Sequence, residues 1–206
     1  MIKYFIYDEV VIHDKIDNFW VIIHGDVIDL TPLLQDRIES WNLNLEYILG
    51  FGGKDLSSYF YKDGTPRMET SAKTGRKRVL FPPIVEVTTS EMLRTEGKIW
   101  SQDPKYKIGK LTKQERQIRI INTLTGTTQL MKVCEEDKIY DILVKYKKFY
   151  NFHASSYVWR MKPINGSKCG RRLFFKKTLT ENGLFKEKHG IPPSIWLYYS
   201  DDLTIA

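Results

Sequence analysis

The sequence predicts an α+β protein in two parts, and three observations lead there. An apolar run is broken by a turn and followed by a helix start near the N-terminus. A strand–turn–strand–helix order with a clean amphipathic stripe opens the last ninety or so residues. Between them lies a polar, glycine- and proline-punctuated stretch that carries no sustained period. At 206 residues and 24.3 kDa the chain is long enough for two small cores.

The N-terminal elements follow in order. "KYFIYDEVVIHD" reads as a short strand around Tyr4–Ile6, then a helical stretch whose Val10 and Val11 face a core. Phe19–Ile23 is a five-residue apolar run, His24, Gly25 and Asp26 make a turn, and Val27 and Ile28 resume the strand as a hairpin. Thr31 before Pro32 is a helix-start signature: the hydroxyl can accept from free backbone donors, and proline lacks a donor that would otherwise go unpaired. A helix is expected over 32–39, and a second in "NLNLEYILG", where Leu45, Ile48 and Leu49 share helical spacing and Gly50 ends it. The segment 64–78 is loop chemistry. Residues 79–115 read as an ordered connector whose aromatic content packs it against a domain.

The C-terminal elements are easier to read. "RQIRIIN" alternates around Ile118 and Ile120, Gly126 turns the chain, and "TQLMKVC" returns it. Ile139, Ile142, Leu143 and Tyr146 fall at i, i+3, i+4 and i+7, the buried stripe of a helix. "SYVWRM", "RRLFF" and "SIWLYY" are further strand candidates, with "KTLTENGL" as a tight segment before the last. One helix lying across a mixed sheet buries this set economically, and the order is that of the ubiquitin-like β-grasp fold.

Charge is unevenly distributed. Residues 1–98 carry 12 basic and 15 acidic side chains; residues 99–206 carry 20 and 10, so the net +7 belongs to the second half. Arg171, Arg172, Lys176 and Lys177 cluster in "GRRLFFKK" and are the candidate protein-binding residues, a basic surface suited to an acidic protein. No RNP-like, KH or helix-turn-helix pattern accompanies them, which disfavours nucleic acid. Trp196, Tyr198 and Tyr199 alternate in one strand, core on one face and available for contact on the other. No apolar run approaches the roughly 20 residues that span a bilayer. The charged N-terminus lacks a cleavage-site pattern, so an intracellular protein without membrane attachment is expected. Cys134 and Cys169 are too few for a disulfide framework or a zinc site.

Chemistry is hard to find. "GFGGK" at 50–54 lacks phosphate-loop spacing, and no nucleophile-elbow context surrounds any serine. The chain ends "DDLTIA", without the glycine tail that conjugation requires.

"FWVIIHGDVIDLT", "GGKDLSSYF", "KIWSQDPKYKIGKL", "IRIINTLTGTTQ", "HASSYVWRM", "TLTENGL" and "LYYSDDLT", in that order, resemble the cytochrome b5 domain-containing protein 1 family of motile cilia. The resemblance implies a degenerate cytochrome b5-like domain over 1–85, an ordered connector over 86–115 and a ubiquitin-like domain over 116–206. It also implies residence in the cytoplasm and ciliary axoneme, in a hetero-oligomeric assembly with radial-spoke proteins that controls beating. A b5 domain holds heme between two histidines on opposing loops. Here "PLLQDRIESWNLN" and "YKDGTPRMETSAKTG" contain none. The first ligand position aligns near Arg37, whose guanidinium cannot bind iron, and the second near Glu69, beside Met68. His13, His24, His153 and His189 are read as surface or capping residues. The expected function is therefore non-enzymatic binding without a cofactor; the alternative is a heme-binding electron carrier or redox sensor.

Overall fold

The computed structural model describes residues 2–37, 45–70, 72, 75, 77–81, 94–95, 98–163, 167, 169–185 and 190–199. The chain is α+β and divides into two compact units, Met1–Leu111 and Thr112–Ala206.

In the first unit the elements are β1 (Tyr4–Phe5), α1 (Tyr7–Val11), β2 (Asp14–Lys15), β3 (Asn18–Ile23), β4 (Asp26–Asp29), α2 (Thr31–Arg37) and α3 (Leu45–Leu49). They are followed by β5 (Met68–Thr70), β6 (Lys77–Val79), β7 (Arg94–Thr95), β8 (Lys98–Ile99) and β9 (Lys107–Leu111). The main sheet runs β1-β9-β4-β3-β2, with β1 parallel to β9. The expected hairpin is β3–β4, turned by His24 at φ 50 and Gly25 at φ 81. A two-residue turn with both residues left-handed matches the strand twist.

Both faces of this hairpin are covered, because the apolar residues of β3 do not strictly alternate. Phe19, Val21, Ile23, Ile28 and Leu30 join a cluster with Leu33, Leu34, Ile48, Leu56, Phe60, Phe81 and Trp100, while Ile22 and Val27 pack with Phe5 and Val10.

Four expectations are corrected, the first being that 64–78 is loop: it carries the antiparallel pair β5–β6. Val11 is exposed, since a five-residue α1 offers the core only Val10. The Thr31 hydroxyl accepts from the Phe19 amide at 2.8 Å, and Asp29 takes the Thr31 amide at 2.9 Å, so the threonine ties helix to strand. The end of the expected 86–115 connector is β9, seated between β1 and β4 with Gly109 against the Lys3 carbonyl, where no side chain fits. "GFGGK" serves packing: a Cβ on Gly53, at φ +69, would lie 2.6 Å from the Val11 carbonyl oxygen. The expectations for residues 38–44 and 82–93, for His189 and for the final "DDLT" lie outside the described residues.

The second unit holds β10 (Glu115–Asn122), β11 (Thr128–Cys134), α4 (Ile139–Phe149), β12 (Tyr157–Met161) and β13 (Ser194–Tyr199). The sheet order is β11-β10-β13-β12, with the central β10–β13 pair parallel and both outer pairs antiparallel. α4 buries Ile139, Ile142, Leu143 and Tyr146, the stripe expected from spacing, against Ile118, Ile120, Trp159, Ile195 and Leu197. Burial pushes the Tyr146 phenol above its ordinary value, and Tyr157 adds to the rise. In β13 the core side is Ile195 and Leu197; Trp196 stacks on Tyr198 across the other face, and Tyr199 is exposed.

"RRLFF" is not a strand. It makes one bridge, Arg160 to Arg172, and two backbone bonds to β12, Met161 N–H to Arg171 O at 2.8 Å and Leu173 N–H to Trp159 O at 2.9 Å, before turning away. A short run of two basic and three apolar residues looks the same at the edge of a sheet whether it continues or turns.

Leu143 is 8% exposed within this core. Leu143→Ala is expected to destabilise the second unit by about 2–5 kcal/mol, as truncation of a buried leucine does. Chemical denaturation followed by tryptophan fluorescence measures it, and a cost near zero would mean the helix face is misassigned.

Candidate protein-binding site

The segment 171–185 carries all four candidate residues, and its backbone is held from beneath. Leu173 and Leu179 point into the core while Phe174 points out. Asn182 is fully buried. Its Oδ1 accepts from the Phe174 amide at 2.8 Å, and its Nδ2 faces the carbonyls of Phe174, Thr178 and Lys177 at 3.1, 2.8 and 3.3 Å. A side-chain amide can replace a strand neighbour in this way, having both donor and acceptor on one planar group. Gly183, at φ +82, completes the turn.

Two further ties fix the segment. Carbonyls of Lys177 and Phe175 accept the Ile139 and Tyr140 amides at 3.0 and 3.1 Å, so the segment satisfies donors that the start of α4 leaves open. Arg116, with its side chain 2% exposed, reaches Glu135 at 3.2 Å, the Thr180 hydroxyl at 3.0 Å and the Leu184 carbonyl at 2.6 Å. A buried guanidinium needs such company, since desolvation without partners costs several kcal/mol.

The candidate residues are all exposed. Arg171 and Lys177 come together across Phe174, with guanidinium carbon and ammonium 5.7 and 5.0 Å from the ring centroid. Arg171 also donates to the Asn182 carbonyl at 2.6 Å. Arg172 sits opposite Arg160 in the bridge to β12, and Lys176 lies in the turn. The nearby Glu181 carboxylate accepts the Thr178 amide at 2.7 Å, which holds it below the ordinary carboxylate range. Phe174 and Asn182 were missed by sequence reasoning. The Asn182-Gly183 pair, a turn signal inside "KTLTENGL", was the available clue.

The described side chains of the first unit do not fit a heme held by two histidines. His13 stacks on Trp20 with ring centroids 3.4 Å apart, and His24 Nε2 donates to the Tyr61 carbonyl at 2.8 Å. His153 lies in the other unit, next to Phe152. Met68 is exposed on β5, paired with Val79, and Glu69 follows it. Inside the first unit, Phe51 meets Phe81 at 5.1 Å and Phe60 meets Trp100 at 5.6 Å, edge to face, so rings fill the core. Among the described residues no group of three or more His, Cys, Asp or Glu could hold a metal ion. A cleft of about 130 Å³ beside Arg116 and Pro192 is below the ~300 Å³ at which ligand pockets begin. No helix among the described residues is long and apolar enough to cross a membrane.

No family model matches the chain. Among solved structures, a designed protein based on ubiquitin is 19% identical, covering 42% of this chain and 90% of that one with a TM-score of 0.32. The ubl5 domain from a polyubiquitin locus of T. thermophila is 18% identical, covering 41% and 93% with a TM-score of 0.31. Curated relatives match over nearly the whole length. Cytochrome b5 domain-containing protein 1 of Xenopus laevis is 35% identical over 219 residues, 98% of this chain and 96% of that protein. The proteins of that name from Homo sapiens and Mus musculus are 34% and 31% identical, each covering 98% of this chain and 92% of the relative. With such identity sustained from end to end, the chain belongs to the cytochrome b5 domain-containing protein 1 family.

Proposed function

We propose that this chain is a non-enzymatic interaction subunit of the ciliary axoneme, docked on radial-spoke proteins and contributing to control of beating. The axonemal location comes from the family resemblance. The observation that carries binding as the mode of action is the rigidly mounted segment 171–177, in which Arg171 and Lys177 flank the outward-facing Phe174.

In this reading the first unit is a degenerate b5-like scaffold and the second a ubiquitin-like β-grasp module. The sheet order β11-β10-β13-β12, with a parallel central pair and α4 packed on its core face, supports the latter. Partners are acidic spoke proteins in a hetero-oligomeric assembly. Exposed cations steer approach and fix orientation, while the desolvated aromatic supplies more of the affinity.

Two experiments test the proposal. Reversing charge at Arg171, Arg172, Lys176 and Lys177 together is expected to weaken incorporation into isolated axonemes, and more so at low salt, where exposed charges are least screened. Incorporation equal to wild type across a salt series would remove the basic face, and native protein absent from axonemes would remove the location. Natively purified protein is expected to lack a stoichiometric heme absorption spectrum. A six-coordinate heme spectrum at one per chain would instead establish the electron-carrier alternative.

A further inference from the structure

The candidate segment adjoins a second surface that the four basic residues do not include. Along α4, Tyr140, Val144 and Lys148 recur every four residues and share the side turned away from the core. Tyr140 is 59% exposed and Val144 47%. At the far end of the helix Phe152 is 75% exposed under the Lys147 ammonium, 5.2 Å from its ring centroid. At the near end stands Phe174, 52% exposed, since residues 175 and 177 bond to the first amides of α4. A strip of exposed apolar side chains thus follows the helix for ~16 Å, with a cation over the aromatic ring at each end.

We infer that this strip is the binding face for an acidic amphipathic helix of a partner protein. The inference deepens the binding reading above and rests on it. Tyr140 and Val144 offer aliphatic and aromatic contact between two cationic ends, which calls for apolar side chains framed by carboxylates. The acidic groups closest in sequence are already engaged: Asp141 accepts the Lys138 amide at 3.0 Å, and Glu181 accepts that of Thr178.

The cation positions select protein over the other anionic partners. Lys147, Arg171 and Lys177 lie over ring faces. A base has to stack on a ring face, and each of these rings already has a cation over it. Inserting Phe152 or Phe174 into lipid would carry the overlying charge into the apolar layer. Carboxylates approach both the cations and the electropositive ring edges, so they meet the arrangement as it stands.

The test is calorimetric titration of the full chain with a synthetic amphipathic peptide of leucine and glutamate. Parallel titrations use the same peptide with lysine for glutamate, phosphatidylserine-containing vesicles and a DNA duplex. The acidic peptide alone is expected to bind. Val144→Glu, and separately Lys147→Glu with Lys148→Glu, are expected to weaken it by about tenfold or more. Val144 and Lys148 are exposed and Lys147 is half-buried beside them, and an unchanged melting temperature verifies the fold; amide shift mapping on the wild type, centred on 140–152, reads the same site without any variant. Equal binding by wild type and variants overturns the inference. So does a preference for vesicles or duplex, or self-association that Val144→Glu abolishes without any peptide binding. Peptide binding by a protein absent from axonemes would keep the face and remove the spoke assignment; failure to bind by a protein that does incorporate would remove the face alone.

Discussion

The buried carboxamide of Asn182 bonds to backbone groups of Phe174, Lys177 and Thr178, and the presentation of the candidate surface depends on it. A segment that leaves the sheet after one bridge has peptide groups without ladder partners, and buried peptide groups without partners cost free energy. Asn182 supplies the missing neighbour from eight residues or fewer away, inside the same segment. The consequence is a loop that behaves as part of the core. Leu173, Leu179 and Leu184 anchor it inward, which fixes Phe174 outward between Arg171 and Lys177. Rigid presentation matters for binding, because side chains already held in place lose less entropy on association.

The first unit follows a different logic. Its β3–β4 hairpin is buried on both faces, so close backbone approaches decide what packs around it. Gly109 and Gly53 stand where β9 meets the N-terminal strand and where the chain crosses α1. Its histidines are engaged in local contacts, His13 with Trp20 and Asn18, His24 with the Tyr61 carbonyl. Phe51, Phe60, Phe81 and Trp100 fill its interior with edge-to-face contacts.

Much of the fold was legible where one physical signal dominates. The α4 stripe and strand β10 were readable because each has one buried face and a period to match, and the His24-Gly25 turn because few other residues accept its backbone angles. The rest was hidden by competition among partners. Thr31 has the residue type of a helix cap, but the Phe19 amide claims its hydroxyl. β9 reads as connector because a short strand containing Gly109 has no period, although it sits between β1 and β4. At the candidate site the charges were legible from composition. That Arg171 and Lys177 meet over Phe174, and that Asn182 holds them there, depends on a turn whose geometry is set by tertiary hydrogen bonds.

The central claim, that the basic–aromatic segment is a rigid part of the second unit, is tested most directly by native-state hydrogen exchange at the Phe174 amide. That amide donates to Asn182 at 2.8 Å beneath an exposed side chain. Protection comparable to the β10 and β13 core amides, lost in Asn182→Ala while those core amides stay protected, is the predicted result. Exchange at Phe174 as fast as at an open loop in the wild-type protein would contradict the account.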